Sequence, residues 1–211
     1  MERNVTRGER HADGIVHLTG LAVGLIGVAV MLVQALRHLS VPSTACLAVY
    51  GTGLMAMLAC SATYHMLAAP AWKEVCRRCD HAAIFLKIAG TYTPFAVVNM
   101  GGIAGYALLG VVWGVALVGA AAKLLLAHTW DRLAIALYLA LGWAVLTVFP
   151  PLIASVPAAA LALLGIGGVL YSVGVLFHVW TRLPYHNAIW HLFVLAGSAC
   201  HFGAVMQAVF G

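Results

Sequence analysis

The sequence predicts an all-α integral membrane protein with seven transmembrane helices, the N-terminus cytoplasmic and the C-terminus extracytoplasmic. Three observations predict it. The 211 residues are 64% hydrophobic and only 8% charged, where a soluble domain carries about 25% charged residues. Seven apolar stretches are each long enough to cross a bilayer. The basic residues gather on alternate connections between them. Residues 1–211 are therefore expected to form a single membrane domain, with membrane lipids as partners. The net charge of +5 reports topology in such a chain, so no nucleic-acid partner is expected.

The first 14 residues are polar, and the first apolar run begins at Ile15 and continues to about residue 36. It is too long for the apolar region of a signal peptide, so a spanning helix is expected and a cleavable signal is not. Further spans are expected near 44–67, 81–99, 103–126, 132–149, 157–179 and 187–209. Pro42, Pro70, Gly101 with Gly102, the 129–131 stretch, Pro150 with Pro151, and Pro184 punctuate them. Spans three and five are the shortest. Mean hydropathy over the chain is +1.00.

Nine basic residues fall on one side of this map: Arg3, Arg7, Arg10, Lys73, Arg77, Arg78, Lys123, Arg132 and Arg182. Arg37 alone falls on the other, and Lys87 lies within span three. The positive-inside rule then puts the N-terminus in the cytoplasm, and seven crossings put the C-terminus outside.

Most membrane-proximal His and Asp residues collect on that same side. His65 ends span two, Asp80 and His81 open span three, His128 and Asp131 flank the fourth connection, His178 ends span six, and His186 and His191 begin span seven. His201 lies about 15 Å deeper than His191 along a helix. Ionisable groups within membrane spans are costly and point to function. Imidazoles and a carboxylate at one depth form a set suited to zinc. Zinc with an open position is a hydrolytic catalyst; without one it only ties helices together.

Local spacing adds detail. Ser61 precedes His65 by one turn in SATYH, so both face the same way. The serine can orient a ligand or simply allow close helix packing. Asp80 and Lys87 are seven residues apart on one face, and Thr91 continues the stripe. Lys87 must face the protein interior or water; it neutralises Asp80 or lines a cavity. Pro94 reads as a kink. Trp72, Trp130, Trp180 and Trp190 read as interfacial depth anchors. His17, His128 and His178 read as interface polarity, with His17 a possible partner of the cluster. Cys76 and Cys79 form one C-x-x-C pair without a second, which is not a zinc ribbon.

Three blocks are similar to a known family: SATYH, DHAAIFLKIAGTYTPF from Asp80, and NAIWHLFVLAGSACHF around His191. A weaker block is Glu9-x-x-x-Asp13-x-x-x-His17, whose four-residue steps put three side chains on one helix face. On these the chain resembles the haemolysin III branch of the progestin and adipoQ receptor family. The likeness runs over nearly the whole chain. It implies a seven-helix fold with a cytoplasmic N-terminus, one Zn2+ near the cytoplasmic face and, for bacterial members, the inner (plasma) membrane. The family's ligands are a histidine on helix two and two histidines, four residues apart, on helix seven. An aspartate on helix three lies close to the metal's water. His65, Asp80 and His191 match. The remaining histidine falls on Asn187, and Asp13 stands where the family usually has Asn. Asn187 could instead cap helix seven. His186 is then a candidate third ligand, although five helical residues turn it about 140° from His191; alternatively Asp80 binds the metal directly.

The reading that follows is a zinc-dependent hydrolase of a lipid amide or ester, ceramidase-like, working from an inner-leaflet cavity that holds its lipid substrate or ligand. His65, His191 and either His186 or Asp80 would hold the metal, with Asp80 as the base and Ser61 supporting it. Among the carboxylates, only Asp80 combines the required depth with the required face. The rival class is a non-enzymatic regulator of membrane lipid homeostasis with a structural zinc, and the third is a pore-forming cytolysin.

Overall fold

The computed structural model describes residues 5–67, 69–126 and 130–211, which are helical with no strand among them. His128 lies outside the described residues. Among the described residues, seven helical segments are long and apolar enough to cross a membrane. The first is α1 (Arg7–His38), started by a capping box in which Thr6 and Glu9 satisfy each other's backbone N–H groups. The second is α2 (Val41–Ala62), capped by Ser40 and running into a π-helical turn, Thr63–Leu67. A 3-10 turn, Pro70–Trp72, leads to α3 (Lys73–Pro94). The fourth is α4 (Gly102–Leu125), entered through Gly101 and Gly102, both at positive φ, which glycine adopts without a Cβ clash.

The fifth crossing is broken into α5 (Asp131–Gly142), a 3-10 segment (Ala144–Val148) and α6 (Phe149–Ser155). The sixth and seventh are α7 (Ala158–Val179) and α8 (His186–Phe210). The expected spans are all present, with two differences in extent. Helices α1 and α3 begin about eight residues earlier than the apolar runs, because their polar first turns are also helical. Pro150 and Pro151 do not end the fifth crossing. They stand in the first turn of α6, where a missing N–H costs nothing.

Proline and tyrosine explain the irregular backbone. Pro94 cannot donate to the carbonyl of residue 90 and crowds it, and the helix widens from Phe95 to Met100 into a π-helical turn. The break after α5 frees backbone groups that must be satisfied inside the bundle. The Tyr92 hydroxyl lies 2.8 and 2.9 Å from the Leu141 and Gly142 carbonyls and accepts from the Val145 N–H at 3.0 Å.

Helix α3 is central, packing on α2 and α4 along its length. Small residues let backbones approach. A Cβ on Gly53 would lie 3.1 Å from the Leu86 carbonyl, and one on Gly90 would lie 3.2 Å from the Val49 carbonyl. This close α2–α3 crossing brings Ser61 and His65 to the same cavity as Asp80. Helix α8 lies against both α7 and α1. One apolar core joins α1, α2 and α8 around Met31, Leu47, Tyr50 and Val205. The other joins α3, α4 and α5 around Phe85, Val112 and Leu141.

Candidate metal centre and membrane cavity

The site begins at the capped end of α1. Four-residue steps carry Glu9, Asp13 and His17 down one face of α1, and all three are buried. Glu9 does two jobs. It completes the capping box with Thr6, and its other oxygen accepts from the Tyr185 N–H at 2.8 Å. Tyr185 holds a left-handed backbone (φ 61) as the residue before α8. Glu9 thereby ties the start of α1 to the start of α8, and one turn further in Asp13 meets His191.

That meeting gathers a carboxylate and three imidazoles. His191 Nδ1 and Asp13 Oδ1 are 2.6 Å apart. The other carboxylate oxygen, Oδ2, lies 3.6 Å from His65 Nδ1 and 3.7 Å from His17 Nε2. The His17, His65 and His191 rings crowd together, with centroids 4.4 to 5.4 Å apart. One donor atom from each of Asp13, His17, His65 and His191 lies within 4.8 Å of the other three. His17 Nε2 is buried and makes no hydrogen bond, with Asp13 Oδ2 at 3.7 Å as its polar neighbour. Three imidazoles and a carboxylate with one nitrogen to spare could hold a metal ion.

Of the residues singled out in the sequence, His65 and His191 belong to this group. Asp80 and His186 lie outside it. His186 is the first residue of α8, so the full five-residue helical offset separates it from His191. Asn187 does not cap the helix, since Tyr185 occupies that position; Asn187 lines the adjoining cavity. His17, read from sequence as interface polarity, is a full member of the group, and so is Asp13. The signal for both was the four-residue spacing from Glu9, joined to the burial that such a polar stripe requires.

A cavity of about 570 Å³ opens beside the group. His17, His65 and His191 line it together with Asp80 and Ser61. Asp80 is buried on α3 and shares this wall with Ser61. The cavity runs down past Tyr138, Trp143 and Trp190 to Lys87, Tyr171 and His201. Trp190 and His178 are thus cavity wall, their rings 5.0 Å apart, whereas Trp72 and Trp180 are well exposed. Asp131, at the edge of the connection, is ion-paired with Lys123 at 2.7 Å and also lies near Arg77 and His81.

The sequence matches the family described as haemolysin-III related over residues 9–202, a stretch that contains every residue of this site. The chain belongs to the haemolysin III-related family. It is 34% identical over 198 residues to the hemolysin-3 homolog of Bacillus subtilis (strain 168), covering 94% of this chain and 93% of that one. It is 33% identical over 198 residues to hemolysin-3 of Bacillus cereus, covering 94% and 90%. Human monocyte to macrophage differentiation factor is 27% identical over 173 residues, covering 77% and 69%. No solved structure matches the chain. Seven apolar helices and this family membership make the haemolysin III-related chain an integral membrane protein, and its Bacillus relatives support the plasma membrane.

Proposed function

We propose that this haemolysin III-related protein is a zinc-dependent hydrolase of a lipid amide or ester. The observation that carries the reading is a second buried carboxylate, Asp80, standing on the wall of a membrane-embedded cavity just outside a four-residue ligand group. His17, His65 and His191 are the residues that would hold the ion, with Asp13 orienting His191. In this reading His17 of α1 supplies the imidazole that the Asn187 position lacks. Bound there, zinc would supply Lewis acidity to polarise the lipid carbonyl and to make water acidic.

The remaining work falls to the chain's own residues. Asp13, in contact with His191 Nδ1, fixes the tautomer and the tilt of that ring. Asp80 accepts the proton of the attacking water and later returns it to the leaving amine or alcohol. The Ser61 hydroxyl, on the same cavity wall, orients the Asp80 carboxylate. The cavity binds the acyl chain and keeps bulk water from it. With the N-terminus cytoplasmic, the lipid enters from the inner leaflet. Reporter fusions after Gly211 test that orientation and are expected to report an extracytoplasmic C-terminus.

The test uses purified protein in lipid, with metal content measured alongside fatty-acid release from a panel of ceramide-like and ester lipids. Wild-type protein is expected to carry about one zinc and to release fatty acid. One observation favours the rival reading, a regulator with a structural zinc: four donors can close a tetrahedron and leave no open position. Full zinc with no fatty-acid release from any lipid would decide for the regulator. Leakage of dye-filled vesicles by protein that releases no fatty acid would point to a pore-forming cytolysin.

A further inference from the structure

Lys87 is buried to 3% exposure in the middle of α3, seven residues and about 10 Å along the helix from Asp80. No carboxylate among the described residues forms an ion pair with it. Its partners are neutral groups. Nζ lies 3.4 Å from His201 Nδ1 and 4.4 Å from the centre of the Tyr171 ring, over its face. Tyr171 in turn shares a 2.6 Å hydrogen bond with Ser198. The fold holds this arrangement closely. His201 Nε2 would lie 2.6 Å from a Cβ on residue 167, which is glycine, so the ring is held close against α7.

An ammonium this deep in a membrane bundle is costly unless an anion compensates it. A cation–π face and one imidazole meet only part of that need. Lys87, Thr91, Tyr171 and His201 all line the far end of the cavity, so a ligand can supply the missing charge. The geometry points to a second binding site at this end: Lys87, flanked by His201 and Tyr171, binds the carboxylate of a single-chain lipid, a fatty carboxylate lying in the cavity with its head on Lys87. This deepens the proposed function by naming the class of lipid the cavity takes, but it does not depend on the chemistry at the metal.

The experiment measures binding of a fluorescent long-chain fatty carboxylate, and of the primary alcohol of the same chain, to the full-length protein in nanodiscs. Wild-type protein is expected to prefer the carboxylate by about tenfold, the discrimination of one charge-assisted hydrogen bond. Lys87→Met is expected to abolish the preference while leaving alcohol binding unchanged, which also reports that the variant is folded. Lys87→Arg is expected to retain most of it. Protein stripped of metal by a chelator is expected to keep the full preference. Equal affinity of wild-type protein for acid and alcohol would overturn the proposal. So would a preference that survives Lys87→Met. A preference lost on metal removal would put the carboxylate on the metal group; that result overturns the Lys87 site and leaves the hydrolase reading standing.

Discussion

On α1, Glu9, Asp13 and His17 follow one another at four-residue steps; on α3, Asp80, Lys87 and Thr91 follow at seven and four. Both stripes are buried, and both cost free energy in a membrane, but they are compensated differently. The α1 stripe is answered by other helices: Glu9 by the Tyr185 N–H, Asp13 by His191 with His65 close by. On the α3 stripe, Asp80 faces the cavity beside Ser61, Lys87 has an imidazole and a ring face, and Thr91 donates to the Lys87 carbonyl. The α1 carboxylates are engaged in assembling the site. The α3 ionisable groups keep capacity in reserve and face a cavity, as groups that act on a ligand must.

The sharpest way to break this contrast is to neutralise one carboxylate from each stripe. Asp80→Asn is expected to lower fatty-acid release by roughly 10²–10⁴-fold, the usual worth of a general base, with metal content unchanged. Asp13→Asn is expected to weaken metal binding by about 10–100-fold, as loss of a partner that orients a ligand does. Metal analysis and lipid turnover on the same preparations separate the two, and metal loss in Asp80→Asn would make that residue a direct ligand.

The source of the third imidazole comes next. His17→Ala is expected to lower metal content as far as His65→Ala does, while His186→Ala keeps the wild-type level. Adding Asn187→His to His17→Ala returns a histidine four residues before His191, on the same face, and is expected to restore metal. Failure of that rescue, with the protein folded, would show that α1 contributes more than a replacement nitrogen.

Smaller effects test the scaffold under each stripe. Gly167→Ala pushes into the His201 ring and is expected to cost about 1–3 kcal/mol in thermal unfolding in detergent. Gly110→Ala meets nothing and is expected to be neutral or stabilising by up to about 1 kcal/mol. Tyr92→Phe strips the hydroxyl from the α5 break and is expected to cost about 1–2 kcal/mol, read by the same melt.

Much of this was legible in the sequence. Apolar length alone marks the seven crossings. His65 and Ser61, one turn apart, and His191 at the start of the last span stand out as a cluster before any coordinate is known. Asp13 and His17 were visible as a spacing, but their weight was not. A residue ten positions into an amphiphilic helix start can face headgroups or protein, and only the docking of α1 on α8 decides which. The Lys87–His201 contact joins positions 114 apart, and no local pattern carries it. The break in the fifth crossing was hidden for a similar reason: its freed backbone groups are met by Tyr92, some fifty residues earlier.

The tie between Glu9 and Tyr185 also has a bearing on biogenesis. Asp13 and His191 are 178 positions apart, so the ribosome has made six spans before the second half of the site exists. Until the last helix is inserted and seats against the first, Asp13 and His17 sit in an incomplete ring of helices. In the proposed reading, metal loading has to wait for that seating, and only chains whose two ends have found each other in the bilayer can pass it.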